Sequence, residues 1–234
     1  MHWFFDPALS SQSTQLPDAE ANHASASLRI RVGEEIAITN GSGFVVYAEV
    51  VDSRKSTLSY SVVSTQEHGR TFPSIHLVQA LSKGDRDELA LQACVEIGIN
   101  RATPWEADRS VVRWGNEKRS KGLARWQQIA IESMKQSQQT YLCKVESMFD
   151  LNEPLNGRTI VLEPSASDSL ASLEFHSNEE INLIVGPEGG ISDAELQSFA
   201  GLGYEIAKVG NSFLRASTAG PVAVSVIRTM LRNW

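Results

Sequence analysis

The chain has 234 residues, of which 41% are hydrophobic and 21% are charged, and its formal net charge is −7. This composition is ordinary for a globular protein of one or two domains, and it excludes a largely disordered chain. The acidic balance also excludes a generally polycationic binder of nucleic acid, so any nucleic-acid contact has to use a local basic patch.

The N-terminal residues and the cysteines bear on compartment and on metal binding. The start MHWFFDPALSSQ has neither the basic region nor the sustained apolar run of an export signal. No apolar run of the sequence approaches the roughly 18 residues that span a bilayer. Cys94 and Cys143 are far apart and lie at no metal-binding spacing, so we expect them to be small buried hydrophobic residues. These features predict a soluble, cytoplasmic protein without a metal ion.

The first 64 residues are rich in β-branched side chains and predict a small β-barrel. Four segments have the length and composition of strands: LRIRV at 28–32, EIAIT at 35–39, FVVYAEVV at 44–51 and TLSYSVVS at 57–64. Glycine-containing or polar turns separate the last three. The polar stretch TQEHGRTFP at 65–73 predicts a linker to a second part of the chain.

After this linker, strand-like and helix-like patterns alternate, which predicts a mostly parallel α/β sheet. Strands are predicted at 75–81, 99–103, 159–162, 181–185 and 205–209, and helices at 87–98, 123–135, from near Asp193 and from about Thr218. In the first helix Leu89, Ala93 and Ile97 recur every four residues, as on one apolar face, and Gly98 is a plausible C-cap.

Three loops marked by glycine or proline follow predicted strands: LEPS at 162–165, GPEGG at 186–190 and VGNSFLRAS at 209–217. Ligands of open α/β sheets bind at the carboxyl ends of the strands, so we expect the ligand site where these loops meet. Ser192 and Glu195 have the spacing of a capping box, which places the start of the helix after GPEGGI near Asp193.

The GPEGG loop is the most specific of the three strings. Its glycines let the backbone approach a ligand closely. A phosphate site is disfavoured, because Glu188 would place a negative charge beside the anion and no GKS or GKT lysine follows. An adenosyl group that carries a cationic sulfonium or amine fits better. The alternative is that Glu188 only complements the positive N-terminus of the next helix, and the residues alone leave both readings open.

Other common active-site patterns are missing from the sequence. No G-x-G-x-x-G follows a predicted strand, and the GSG at 41–43 lies in a hairpin turn, so a Rossmann dinucleotide enzyme is not expected. There is also no G-x-S-x-G elbow. His23, His68 and His76 are predicted to be surface or core residues rather than catalytic ones.

A local basic segment lies at 101–135. It contains eight basic and four acidic residues, a local net charge of +4 that leaves −11 for the rest of the chain. Three of the five tryptophans, Trp105, Trp114 and Trp126, fall in the same segment. Basic residues with aromatic faces suggest an RNA-binding surface. The alternative is a solvated basic loop beside a core Trp126, which shares a helix face with Leu123, Ala130 and Met134.

Several strings in order give a resemblance that covers essentially the whole chain. They are HLVQALSKGDRDELALQACVEIGI, RSVVRW, RWQQIAIESMKQS, LIVGPEGGISDAEL and VGNSFLRASTAG. Together they resemble the SPOUT-class methyltransferases, specifically the RsmE-type 16S rRNA (uracil-N3) methyltransferases. The first half, with EANHASASLRIRVGEEI and NGSGFVVYAEV, is similar to the small PUA-like barrel of that family.

The resemblance implies a fold, a cofactor and a substrate. The fold would be α/β, with a PUA-like β-barrel RNA-binding domain over 1–70 and a SPOUT-like domain over 74–234 whose mostly parallel sheet is tied in a trefoil knot. The protein would be a homodimer that methylates N3 of one uridine in 16S rRNA, in the assembled small ribosomal subunit, from S-adenosylmethionine (SAM). The implied cofactor-binding residues are Leu162, Gly186, Pro187, Glu188, Gly189, Gly190, Val209, Gly210, Phe213, Leu214 and Ala219.

The reaction suggests what the remaining site residues do. Methyl transfer depends mostly on positioning and electrostatics, and uridine N3 becomes a good nucleophile only when its proton is lost. Arg215 is the first candidate to stabilise the developing uridinate or to bind a nearby phosphate, and Lys83 is the second; for each the alternative is a surface ion pair. No residue is identified as the general base. The candidate RNA-binding residues are Arg29, Arg109, Arg113, Lys118, Arg119 and Arg125.

Two departures from the family pattern stand against the five strings. Gln138 and Gln139 stand where many relatives carry an arginine, which puts one RNA or substrate contact in doubt. Ser217 stands where many carry glutamate, although serine still offers an N-cap for the last helix. Two other functions stay open: a related knotted enzyme that acts on tRNA, and a non-catalytic RNA-binding protein with a degenerate knot.

Overall fold

The computed structural model describes residues 1–70 and 72–232. The chain forms two compact units, one of Met1–Arg70 with Met134–Leu142 and the other of Thr71–Ser133 with Cys143–Trp234. The predicted linker includes Thr71, and the predicted second domain ends with residues 233–234; these positions lie outside the described residues.

The first unit contains a four-stranded sheet in the order β1-β2-β3-β4. The strands are β1 (His2–Phe5), β2 (Glu35–Thr39), β3 (Phe44–Arg54) and β4 (Thr57–Glu67). β1 runs parallel to β2, and the other two pairs are antiparallel. A short helix, α1 (Asp18–Asn22), continues into a π-helical segment, His23–Leu28. Side chains of the sheet, including Phe4, Ile36 and Leu58, form a buried core with Ala21 and Ala24 of the helical segments.

One predicted strand of this unit, at 28–32, is wrong. His23–Leu28 is helical, and Arg29 adopts a left-handed conformation with φ 56°. Ile30 is buried, whereas Val32 is 63% exposed. β-Branched residues favour a strand, but without a partner strand and a buried side they do not make one.

In this unit the sequence analysis missed β1, as in the second unit it missed the two-residue β7 (Lys144–Val145). Strand β1 pairs with β2 in parallel, with Phe4 opposite Ile38. The last strand is also longer than predicted, because β4 runs to Glu67 and takes in the first three residues of the predicted linker. The unit therefore has four strands, as predicted, but not the predicted four.

The second unit contains a six-stranded sheet in the order β10-β8-β9-β5-β6-β7. The strands are β5 (Ser74–Ala80), β6 (Arg101–Trp105), β7 (Lys144–Val145), β8 (Arg158–Leu162), β9 (Glu180–Val185) and β10 (Glu205–Ala207). Every pairing in this sheet is parallel, which confirms the predicted α/β class. The carboxyl ends of β8 and β9 therefore lie side by side, with Leu162 opposite Val185.

Four longer helices accompany this sheet: α2 (Arg86–Ile97), α3 (Asn116–Gln136), α4 (Asp193–Gly201) and α5 (Ala216–Met230). The predicted capping box of α4 is confirmed: the Ser192 hydroxyl accepts from the Glu195 N–H, and the Glu195 carboxylate accepts from the Ser192 N–H. The close approach of α5 to its neighbours depends on Gly220, because a Cβ there would lie 3.2 Å from Leu77 Cδ1 and 3.3 Å from Cys94 Sγ. Cys94 and Cys143 are free and buried, as predicted.

Helix α2 is confirmed, but its buried face is not the predicted one. Leu89 is 55% exposed, and the buried apolar residues are Ala90, Leu91, Cys94 and Val95. A strict repeat of four drifts away from the 3.6-residue turn, so Leu89, Ala93 and Ile97 do not follow the line that packs against the sheet. Gly98 ends the helix with φ 101°, as predicted for a C-cap.

His76 belongs to a buried polar network that crosses the sheet. Its Nδ1 lies 2.9 Å from Asn182 Oδ1, and its Nε2 lies 2.8 Å from Thr103 Oγ1. The Asn182 amide nitrogen donates to Thr159 Oγ1 at 3.1 Å, so its Oδ1 accepts from the imidazole N–H. The network therefore joins four neighbouring strands through neutral His76, which confirms its prediction as a core residue.

This network predicts a loss of stability in mild acid. Burial lowers the pKa of His76 to about 4, with the nearby Arg101 charge acting in the same direction. The unfolded chain binds a proton near the ordinary value of ~6.5, so native stability is fully present above that pH and falls as the pH drops toward 4. From pH 7 to pH 5 we expect His76 to contribute a decrease of ~2 kcal/mol in the free energy of unfolding.

Urea unfolding of the wild type and of His76→Gln at both pH values measures this contribution. The glutamine variant is less stable at pH 7 but should lose less stability on acidification than the wild type does. An equal loss in both proteins would show that His76 does not control the acid response.

Candidate active site

The three loops predicted to meet do surround one cavity. It has a volume of about 500 Å³ and lies at the carboxyl ends of β8 and β9. Its lining residues come from the three loops, from residues that flank them and from the first residue of α2: Arg86, Leu162, Glu163, Pro164, Val185, Gly186, Pro187, Glu188, Gly189, Gly190, Ile191, Phe213, Leu214, Arg215, Ala216 and Ala219. Such a volume lies in the range of roughly 300–1,000 Å³ that small-molecule and cofactor sites occupy.

A smaller recess adjoins this cavity and contains the remaining predicted cofactor residues. Val209 and Gly210 line it, together with Leu162, Leu214 and Ala219, which also line the larger cavity. The fold thus brings all eleven residues of the predicted cofactor set to two cavities that share a wall. The recess has a volume of only about 30 Å³, so it extends the larger cavity rather than forming a separate ligand site.

Two glycines of the GPEGG loop are needed because other parts of the chain come very close. A Cβ on Gly186 would lie 2.6 Å from Ile191 Cγ1, and a Cβ on Gly189 would lie 3.0 Å from Arg109 Cβ and 3.2 Å from Arg109 O. Gly190 has φ 74°, a left-handed conformation that favours glycine. The approach of Arg109 was not predicted, since no local pattern reports a contact between residues 80 positions apart.

Glu188 binds the turn in front of α2 rather than the N-terminus of α4. Its Oε1 accepts from the Lys83 N–H at 3.0 Å and from Arg86 Nη1 at 2.9 Å. The alternative interpretation, that Glu188 complements the N-terminus of α4, is therefore wrong, because its carboxylate binds Lys83 and Arg86 at the start of α2 instead. The ion pair with Arg86, a residue that the sequence analysis missed, puts both signs of charge at the cavity wall.

The two predicted catalytic cations lie in different places. Arg215 is exposed and lines the cavity, and among the described residues its guanidinium makes no ion pair. The Lys83 side chain is exposed, and Lys83 reaches the site through its backbone N–H on Glu188. Arg215 is also the N-cap residue of α5, so the expectation that Ser217 caps this helix is wrong: Ser217 lies inside it.

The cations of the basic segment differ in whether they have protein partners. Arg109 donates to the Ile191 and Gly189 carbonyls, Arg113 donates to the Ala107 and Asp108 carbonyls, and Arg125 forms a two-point contact with Glu88. Lys118 and Arg119 are exposed and form no ion pair in the described part of the chain. Arg29, in the first unit, is exposed as well.

The tryptophans of this segment do not form the predicted stacking surface. Trp105 and Trp126 are buried, and Trp114 packs edge-to-face on Trp126 with ring centroids 5.9 Å apart. Trp126 shares its buried helix face with Ala130 and Met134, as the alternative reading predicted. An RNA contact by this segment therefore depends on its cations.

Residues 1–70 and 72–232 contain neither a candidate metal-binding cluster nor a candidate membrane-spanning helix. No three His, Cys, Asp or Glu side chains there are grouped so that they could hold a metal ion. No helix in the same ranges has the length and apolar character needed to span a membrane.

Comparison with known proteins places the chain among RNA-modifying enzymes. Residues 70–228 match the model of an RNA methyltransferase domain, and residues 16–59 match that of an RNA methyltransferase PUA domain. The chain is 28% identical over 226 residues to ribosomal RNA small subunit methyltransferase E of Mycobacterium tuberculosis, with 92% of this chain and 86% of that protein covered. It is 26% identical to the Bacillus subtilis protein of the same name, with 89% and 86% covered.

Solved structures agree with these sequence relatives. Ribosomal RNA small subunit methyltransferase E of Neisseria gonorrhoeae, solved with bound SAM, superposes with a TM-score of 0.88 at 27% identity over 98% of each chain. A Legionella pneumophila protein, also solved with bound SAM, gives a TM-score of 0.90 at 27% identity over 98% of this chain and 97% of that one.

Proposed function

Because the chain belongs to the RNA methyltransferase family, we propose that it is the SAM-dependent enzyme that methylates N3 of one uridine in 16S rRNA, in the assembled small ribosomal subunit. The observation that carries this proposal is that the three loops form one cavity in a chain that matches SAM-bound relatives from end to end. The relatives named as small subunit methyltransferases support rRNA as the substrate, and the resemblance to the RsmE type supports uridine N3.

The residues of the cavity fit SAM in size and polarity. Leu162, Leu214 and Ala219 give the cavity an apolar wall that suits the adenine ring. The close packing of Gly186 on Ile191 and of Gly189 on Arg109 fixes the shape of the GPEGG loop beside it. When bound, SAM supplies an electrophilic methyl group on a positively charged sulfur. The Glu188 carboxylate adds negative charge to the cavity wall, which would favour a bound cation, and Arg86 partly balances this charge.

The contribution of this chain to the reaction is positioning and charge stabilisation. Arg215 lies at the cavity with an exposed guanidinium, so it can stabilise the negative charge that spreads over the uracil carbonyl oxygens when N3 loses its proton. The Lys83 ammonium, on the turn that holds Glu188, remains a second candidate for the same role. The developing uridinate and the methyl donor would thus be held between fixed groups.

We infer that the phosphate contacts of the basic segment belong chiefly to Lys118 and Arg119. Both lie in the first turn of α3, are exposed and have no ion-pair partner among the described residues, whereas Arg109, Arg113 and Arg125 donate to protein acceptors. Arg29 is an exposed candidate in the PUA domain. An ion pair has to be broken before Arg125 can bind a phosphate, and this lowers its net contribution.

A salt titration distinguishes these cations. The Lys118→Ala/Arg119→Ala double variant should weaken RNA binding and reduce the slope of log affinity against log salt by ~1.5, because each lost phosphate contact removes ~0.7–0.9. Arg125→Ala, on the same helix, is the matched control and should change the slope little. An unchanged slope in the double variant, or an equal drop in the control, would contradict the assignment.

The knot and the dimer are further parts of the proposal. The segment after β8 binds the end of β10 and the residue that follows it: Glu163 N–H donates to Ala207 O, Lys208 N–H to Asp168 O, and Leu170 N–H to Lys208 O. These bonds support a trefoil knot in which the last part of the chain threads the loop after β8. The family resemblance supports a homodimer, which sedimentation of the purified protein measures.

Calorimetry and nucleoside analysis separate the proposed function from its two rivals. Binding of SAM is expected for the enzyme, and no measurable binding would favour a non-catalytic RNA-binding protein. With SAM, methyl transfer should reach the 16S rRNA of small ribosomal subunits isolated from a strain that lacks this gene, and not purified tRNA. Transfer to tRNA alone would favour the related knotted enzyme.

A further inference from the structure

Glu195 makes one more contact than a helix cap requires. The side chain is buried, with 5% of its surface exposed. Its Oε2 accepts from the Ser192 N–H at 2.8 Å, which completes the capping box of α4. Its Oε1 accepts at 2.7 Å from the N–H of Asp108, which lies 87 residues earlier in the chain. The two carboxylate oxygens therefore join α4 to the segment after β6.

A second contact repeats this connection. The Ser192 hydroxyl donates to Asp108 Oδ2 at 2.8 Å, so the cap residue itself is bound to the same segment. The Asp108 N–H would be left without its acceptor if Glu195 were removed, and an unsatisfied amide in a partly buried position is unfavourable. Ser192 and Glu195 thus form a clasp that joins the start of α4 to the segment after β6.

The segment held by this clasp supports the wall of the cavity. Its next residue, Arg109, donates from Nη1 to Ile191 O at 3.2 Å and to Gly189 O at 3.4 Å. The Gly189 backbone is in such close contact with Arg109 that a Cβ would lie 3.0 Å from the Arg109 Cβ. A movement of Asp108 would therefore carry Arg109 away from the GPEGG loop.

The segment is also braced within itself. Glu106 accepts from the Trp114 N–H at 2.6 Å, and Arg113 Nη2 donates to Ala107 O at 3.2 Å and to Asp108 O at 3.1 Å. The GPEGG loop is anchored on one side by Glu188, which accepts from the Lys83 N–H and from Arg86 Nη1. Its glycines have no side chains to hold them, and glycine has the most conformational freedom to lose when it is ordered. At Gly189 and Gly190, rigidity therefore has to come from the neighbouring segment.

We propose that Glu195 is a positioning residue that holds the segment at 106–114 against the GPEGG loop and so keeps this loop in its cofactor-binding conformation. It acts through Asp108 and Arg109 and does not line the cavity itself. This inference rests on the proposed function for the identity of the cofactor, and it assigns Arg109 to the support of the loop rather than to RNA.

Calorimetry with S-adenosylhomocysteine on the full chain tests the clasp. Glu195→Ala removes both acceptors and should weaken binding at least about tenfold, since an order of magnitude corresponds to the loss of one buried hydrogen bond. Glu195→Gln keeps one acceptor and should bind with intermediate affinity. Asp193→Ala is the matched control, because Asp193 is an exposed acidic residue in the same helical turn without a contact to the segment, and it should bind within about twofold of the wild type.

Two further readouts distinguish positioning from a general loss of stability. At saturating SAM the Glu195→Ala enzyme should regain most of its kcat while KM for SAM rises, whereas a smaller folded fraction would lower kcat. Hydrogen exchange at the Asp108 amide should speed up in Glu195→Ala and not in Asp193→Ala.

Each outcome decides the proposal. Affinity in a folded Glu195→Ala protein that matches the control would overturn it. If this variant does not fold, Glu195→Gln replaces it: its amide nitrogen cannot accept, so either the Ser192 N–H or the Asp108 N–H loses its acceptor, and an affinity equal to that of the wild type would overturn the proposal. A wild type that fails to bind S-adenosylhomocysteine would contradict the proposed function instead, while Asp108 amide exchange would still report on the clasp.

Discussion

Replacing Gly189 with valine is expected to reduce SAM affinity by at least about 100-fold while the protein stays folded. A Cβ at this position would lie 3.0 Å from the Arg109 Cβ and 3.2 Å from the Arg109 carbonyl oxygen, and valine adds two methyl groups beyond it. The Arg109 backbone and the GPEGG loop would have to separate, which changes the wall of the cavity. Gly189 belongs to neither of the buried clusters that contain Phe4 and Phe199, so the fold should survive.

Gly201→Val is the matched control for this variant. Gly201 ends α4, and a Cβ there would meet no atom within 4 Å. Circular dichroism should therefore show that both variants are folded. Calorimetry should show wild-type affinity for SAM in Gly201→Val and the large loss in Gly189→Val. Retained affinity in folded Gly189→Val would remove the GPEGG loop from the cofactor site.

The second large effect is expected at Arg215. Its replacement by alanine should lower the rate of methyl transfer in single turnovers by about 10²–10³, the size typical of losing one group that stabilises developing negative charge. SAM affinity should change little, because the expected charge is on the RNA base. Arg215→Lys keeps the charge but not the planar fork of donors, so it should restore part of the rate.

The other role considered for Arg215 predicts a different pattern. A phosphate contact would reduce RNA affinity and the salt slope by ~1, with the rate at saturating RNA unchanged. That result would contradict the role at the uridinate. Lys83→Ala, measured beside it, shows whether the second cation contributes, since the Lys83 backbone bond to Glu188 survives the substitution.

The sequence predicted five of the six strands of the sheet in the second unit, because most of them are short apolar runs with clear ends, and it missed the two-residue β7. The observed ends of β5, β8 and β9 lie within one or two residues of the predicted ends. The capping box of α4 was predicted from the spacing of Ser192 and Glu195 alone. The three loops could be placed together because carboxyl ends of parallel strands share one edge.

Other features could not be read from local patterns. β1 was missed because HWFF has no alternation, and it becomes a strand through its partner β2. The exposed position of Leu89 follows from how α2 packs and not from its spacing. The contacts of Glu188 with Arg86 and of Glu195 with Asp108 join residues far apart in sequence, which no spacing rule detects.

The assignment of the basic segment shows the same limit. From composition alone, Arg109, Arg113 and Arg125 were predicted to be available for RNA. In the structure Arg109 and Arg113 donate to backbone carbonyls, and Arg125 binds Glu88. Tryptophans counted as stacking surfaces are largely core. Charge alone therefore located a plausible RNA-binding segment, and the side-chain contacts decide which of its residues remain available.

Nucleoside analysis of rRNA from a strain that lacks this gene is the most direct test of the central claim. We predict that N3-methyluridine is missing from its 16S rRNA, that the wild-type gene restores it and that the Arg215→Ala gene does not. Purified enzyme with SAM should also restore the methyl group on isolated small subunits from that strain. Intact N3-methyluridine in the 16S rRNA of the deletion strain would contradict the account.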